Sequence, residues 1–172
     1  MNKKAVLVGC GVVMAALTAC SSGEEADSSA APSPAESSAS VTQIASALTP
    51  SINSATEAVG KYDDAFSEYA FSSVLDEGTA KQDKALCNAT MVTANYAAQT
   101  LSLTIEGLVT PTSNTYVGQP PTELVPLLDE TKQEADAFVA SAEEQSAKKK
   151  CRVEPLTVTS FSNVLEKWGP YL

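Results

Sequence analysis

Cys87, Met91, Ala94, Ala98, Leu101, Ile105 and Leu108 recur at alternating steps of four and three residues. A period near 3.5 puts these side chains on one face of an α-helix. The spacing predicts a helix of roughly 30 residues, and Thr79-Ala80-Lys81-Gln82 has the form of a capping box that would open it. Two more stripes flank it. Upstream, Val41, Ile44, Leu48, Ile52, Ala55, Val59, Tyr62, Phe66 and Tyr69 share a helical face. That stripe runs through Pro50, so a kink or a restart is expected there, with Thr49 as N-cap, and Gly78 is expected to stop the helix. Downstream, Leu124, Leu128, Thr131, Ala135, Phe138 and Ala142 define a third helix ending at Lys148-Lys149-Lys150. The cluster Lys148-Lys149-Lys150-Cys151-Arg152 could grip phosphate-bearing envelope polymers or lipid headgroups, but the preferred reading is structural, because cations there complement the negative end of the helix dipole. Between the second and third helices, residues 110–121 (TPTSNTYVGQPP) contain three prolines and a glycine and predict a loop. A short fourth helix capped by Thr159 or Ser160 would carry Phe161, Val164, Leu165 and Trp168, with an extended link over 153–158 before it.

The N-terminus has a different logic. Asn2-Lys3-Lys4 precedes an apolar run of thirteen residues, Ala5 to Leu17. A resident membrane helix needs about 20, whereas an export signal has this length and these flanks. The tetrad Leu17-Thr18-Ala19-Cys20 resembles the lipobox of bacterial lipoproteins. The resemblance covers the first 22 residues only, and no family is recognised for the rest. It implies that the Cys20 thiol carries diacylglycerol, that palmitate-type acyl chains anchor the protein on the extracytoplasmic face of a cell membrane, and that residues 1–19 are removed. Residues 21–40 (SSGEEADSSAAPSPAESSAS) contain no large apolar side chain and cannot bury enough surface to offset ordering entropy. The expected organisation is therefore a signal peptide over 1–19, a lipidated acidic tether over 20–40 and a helical domain over 41–172.

Cys10 leaves with the signal and Cys20 is committed to lipid, so Cys87 and Cys151 remain. In an exported chain one remaining pair predicts a disulfide. Two helices joined by a loop of about a dozen residues can lie antiparallel, which brings the start of the second beside the end of the third, where the two cysteines stand. The expected fold is all-α: an antiparallel up-down-up three-helix bundle with a short C-terminal helix and one disulfide.

Function is constrained mainly by what is missing. There is no histidine, which removes the commonest general base and the His-dependent nucleophile pairs. Removing Met1 to Ala19 takes two of eleven basic residues and none of twenty-one acidic ones, so the formal charge moves from −10 to −12. Such a chain is repelled by nucleic acid. The adjacent acids Asp63-Asp64 and Glu143-Glu144 lie off the apolar stripes and read as solvated, and Tyr62, Phe66 and Tyr69 read as core. No cofactor, metal or catalytic residue is expected. Tyr116, Gln119, Pro120 and Pro121 in the long loop are candidates for a contact surface, because long loops are frequently functional and Tyr favours interfaces. Trp168 and Tyr171 either close the bundle or present a second contact. The chain reads as a membrane-anchored adaptor module of the cell envelope. Binding of a small apolar or envelope-derived ligand between the helices, and a structural spacer, stay open beside it.

Overall fold

The computed structural model describes residues 38–75 and 77–172. The expected signal peptide, Cys20, most of the expected tether and Asp76 lie outside these described residues. Within them the chain is all-helical: α1 (Val41–Leu75), α2 (Glu77–Val109), α3 (Val125–Ala147), α4 (Pro155–Glu166) and a final 3-10 turn (Gly169–Tyr171). α1 packs on α2, α2 on α3, and α4 covers both α3 and α1.

The helices follow the expected stripes, but their ends do not. The capping box sits at the start of α1: Gln43 N–H donates to Ser40 Oγ (3.2 Å) and Ser40 N–H donates to Gln43 Oε1 (2.8 Å). At the expected box, Thr79-x-x-Gln82, the chain is already helical, since α2 starts at Glu77. Gly78 is likewise the second residue of α2 and not a stop. Nor does α1 restart at Pro50. It runs through the proline, and Thr49, expected as an N-cap, donates its hydroxyl to Ala45 O (2.8 Å) inside the helix. Pro50 and Ser46 are exposed, so the carbonyl that Pro50 leaves without a donor meets water. α4 begins at Pro155 and not after Thr159, whose hydroxyl bonds back to Pro155 O (3.0 Å). Proline's fixed φ and missing N–H suit the first helical position. Of the extended link expected over 153–158, only Val153 and Glu154 therefore lie outside the helix.

Every member of the α2 and α3 stripes is buried. The aromatic centre is Phe138, with Tyr62 edge-on at 6.1 Å and Phe161 at 5.4 Å. Cys87 and Cys151 form the expected disulfide, with Cα atoms 5.9 Å apart. Beside it the buried Val153 N–H donates to Tyr62 Oη (2.7 Å). Burial pushes the Tyr62 phenol up, and that donated hydrogen bond offsets part of the shift. The α2–α3 seam carries a polar cluster in which Ser102 Oγ donates to Asp136 (2.6 Å) and Lys132 Nζ donates to the other carboxylate oxygen (2.8 Å). The bond to Asp136 raises Lys132. Partial burial pushes Asp136 up, but its bonds from Lys132 and Ser102 outweigh this and hold it below the ordinary carboxylate value.

Trp168 is fully buried, with Nε1 donating to Thr131 Oγ1 (2.9 Å), and Thr131 in turn donates to Leu127 O (2.6 Å). Of its two expected roles the structure gives Trp168 the closing one, and its indole is not available at the surface. Tyr171 packs edge-on against it and stays exposed. Thr131→Val leaves the indole N–H buried without an acceptor, a loss of about 1–3 kcal/mol. Equilibrium urea unfolding is expected to show that loss for Thr131→Val, and Thr131→Ser is expected to recover most of it.

Candidate functional site

Two surface features stand out, one at the expected loop and one that the sequence reading passed over. The loop between α2 and α3 is held at both ends. Gly107 lies where α2 meets it, and a Cβ there would come within 2.4 Å of Thr115 Oγ1, so the glycine lets the turn lie against the helix. Gly118, buried, has φ of 122°, a conformation that side chains disfavour. It aims the next residue at the incoming chain: Ala39 N–H donates to Gln119 O (2.9 Å), and Ser38 forms a parallel bridge with Gln119. Ala39 is buried, so the last residues of the expected tether, 38–40, belong to the folded domain.

This framework leaves a groove of about 590 Å³ lined by Val109, Pro111, Tyr116, Gln119, Pro120, Thr122, Val125, Pro126, Leu128 and Asp129. Three of the four loop residues singled out from sequence, Tyr116, Gln119 and Pro120, come together there. Pro121 does not line it, and its carbonyl accepts Leu124 N–H (2.9 Å) at the start of α3. Tyr171 and Trp168 stand elsewhere, and Cys20 is outside the described residues. Pro111, Val125, Pro126 and Asp129 were missed. The prolines were visible in sequence only as helix breakers, and nothing showed that both loop ends return to one groove.

The second feature is the outer face of α2. Ala85, Ala89, Val92, Tyr96, Gln99 and Leu103 are all exposed and are spaced four, three, four, three, four. They repeat the first six positions of the buried stripe two residues earlier, which is about 200° around the helix. α2 thus has two apolar seams on opposite sides. Val92 is 59% exposed, Tyr96 71% and Leu103 61%, so more than half of each residue's surface faces solvent. No charged residue occurs over 85–105, although charged residues make up 19% of the chain. Thr93 and Thr100, at the edge of the seam, donate their hydroxyls to Ala89 O (3.1 Å) and Tyr96 O (2.9 Å) of their own helix. Those donors need no water, which lowers the cost of covering the face.

The remaining sequence candidates are solvated. Asp63, Asp64, Glu143 and Glu144 are exposed. Lys148 pairs with Glu144 (2.5 Å). Among the described residues there is no cluster of three or more His, Cys, Asp or Glu positioned to hold a metal ion, and no helix is long and apolar enough to cross a membrane. No family model matches the chain, and comparison with curated proteins and with solved structures finds no match.

Gly118→Ala forces a Cβ into a strained φ, a cost of about 1–3 kcal/mol. The strain falls on the loop that holds Gln119. Hydrogen exchange at Ala39 N–H is therefore expected to accelerate in Gly118→Ala, while Val153 N–H, at the disulfide, exchanges as before.

Proposed function

We propose that this chain is a lipid-anchored extracytoplasmic interaction module, an adaptor of the cell envelope rather than an enzyme, whose docking surface is the outer face of α2. The observation that carries the reading is the second apolar seam. A helix face with 3.5-residue spacing and no charge over 21 residues suits one partner helix laid along it, in the manner of a coiled-coil seam. From Ala85 to Leu103 the seam is about 27 Å long at 1.5 Å per residue, the length of a single helix contact. A solvent-facing helix in an acidic chain ordinarily carries charges for solubility, and this face has none.

The lipobox-like tetrad supports an anchor at Cys20, and residues 21–37 would then tether the domain from the end where Ser38 meets Gln119. The contacts also support an antiparallel up-down-up three-helix bundle with α4 as the short C-terminal helix. Ser51 in α1 meets Thr104 in α2 (3.3 Å), and Ser102 meets Asp136. Tyr62 reaches the Cys87–Cys151 link through Val153. Along each pair of helices one residue number rises as the other falls.

A second reading rests on the loop groove. Its volume, about 590 Å³, lies in the range of small-molecule sites, and its apolar lining suits the small envelope-derived ligand considered from sequence.

The test places a photo-crosslinking amino acid at Tyr96, and in a separate chain at Tyr116, in the lipidated protein in intact cells. One recurrent protein adduct is expected at Tyr96, reduced at least tenfold by Val92→Asp with the fold intact. Protein adducts from Tyr116 alone would move the docking surface to the groove. No protein adduct from either position would overturn the adaptor reading.

A further inference from the structure

The disulfide gathers three cations that are far apart in sequence. Lys150 and Arg152 flank Cys151, and Lys84 stands three residues, just under one helical turn, before Cys87. With the cysteine Cα atoms 5.9 Å apart, Lys84, Lys150 and Arg152 line one cleft of about 500 Å³ whose other walls are Phe66, Tyr69, Ala70 and Ser73 of α1 and Cys151 itself. Phe66 and Tyr69 are half-buried and packed against the core. Each therefore gives the cleft a fixed aromatic surface.

Lys61, Lys132, Lys148 and Lys167 each pair with a carboxylate. Among the described residues Lys81, Lys84, Lys149, Lys150 and Arg152 form no such pair, and three of these five share the lining of this one cleft. Over the whole chain acids outnumber bases twenty-one to eleven. Acids are thus in excess over the chain and absent from the lining of this cleft. Three like charges repel, and a bound anion relieves that repulsion. The aromatic floor specifies the rest of the ligand, because an inorganic ion would leave it wet.

We propose that this cleft binds an anionic amphiphile: a carboxylate or phosphate held by Lys84, Lys150 and Arg152, with an apolar or aromatic body lying on Phe66 and Tyr69. Arg152 can grip two oxygens at once, and the lysines add charge without fixed geometry. A long polyanion is disfavoured, because the acidic surface beyond the cleft repels it. The site is separate from the α2 outer face, and it stands or falls independently of the adaptor reading. A phosphate head can reach the cleft from a bilayer leaflet or as a free molecule, and the experiment separates these sources.

The mature domain with its disulfide intact is titrated calorimetrically with dihexanoyl phosphatidic acid, kept monomeric, and with dihexanoyl phosphatidylcholine of the same acyl body. Saturable one-site binding of the acid is expected, at least tenfold weaker for the choline ester and for Lys84→Gln/Lys150→Gln/Arg152→Gln. Those side chains are solvent-facing, and circular dichroism checks that the variant is folded. Tyr69→Ser is expected to weaken binding while keeping the preference for the acid. Sedimentation with vesicles of long-chain phosphatidic acid is the second arm. Binding to vesicles but not to monomer, lost in the triple variant, supports the site with the bilayer as its source. Equal affinity for wild type and triple variant, equal affinity for the two lipids, or no binding in either arm would overturn the proposal.

Discussion

The covalent link between Cys87 and Cys151 is the constraint on which the other contacts depend. It ties α2 to the segment that leaves α3, and the next residues inherit that position. Val153 N–H reaches Tyr62 of α1 across 91 positions of sequence, so one short stretch joins α1, α2 and the end of α3. α4 starts at Pro155, directly after this junction, and lays Phe161 on Phe138 and Trp168 over Thr131. Ala-rich stripes bury less area per residue than Leu-rich ones, and the stabilisation from apolar burial scales with that area. α2 contributes Ala94, Ala97 and Ala98 to the core, so a core of this kind gains more than most from a crosslink and from satisfied buried donors.

α2 is the element on which both structural and functional readings converge. One seam faces the core, the opposite seam faces solvent, the disulfide lies toward one end and the loop groove begins at the other. A helix that satisfied only the core would be free to carry charges on its outer side, as α1 does with Glu57, Lys61 and Asp64. The neutral outer face of α2 instead keeps the spacing of an interhelical seam. The cation cleft follows from the same helix, because Lys84 reaches Lys150 and Arg152 only through the cysteine three residues further on.

Much of the fold was legible in the sequence because helical burial is periodic: the stripes of α2 and α3 are buried at every position named. Helix ends were less legible, because local punctuation competes with packing. Pro50 costs a helix about 3 kcal/mol in general, yet Ile44 and Leu48 before it and Ile52 and Ala55 after it are all buried, and their burial keeps α1 continuous. Gly78 and Thr79 were given more weight than their place inside α2, which starts at Glu77, supports. The Ser40–Gln43 box was present in the same form as the one assigned to Thr79 and Gln82, one residue before the stripe of α1 begins. At the site, Tyr116, Gln119 and Pro120 were legible as an exposed loop. The pairing of Gln119 with Ser38 and Ala39 was not, since a single bridge leaves no periodic trace. The outer seam of α2 was in plain view but weaker than the buried one, with Ala and Gln at three of its six positions. Of the cation cleft, the basic cluster holding Lys150 and Arg152 was legible, but Lys84 and the wall of Phe66 and Tyr69 were not, since they meet the cluster only across the disulfide.

The central claim is that the Cys87–Cys151 link holds this thin core together, and equilibrium unfolding tests it most directly. A closed loop of 64 residues corresponds to about 4 kcal/mol of stabilisation in the chain-entropy model. Urea unfolding of the oxidised domain and of the Cys87→Ala/Cys151→Ala double variant should differ by about that amount, with Val153 N–H among the amides whose exchange protection falls most. Equal midpoints and an unchanged Val153 amide would contradict the account and show that the helices hold their packing without the crosslink.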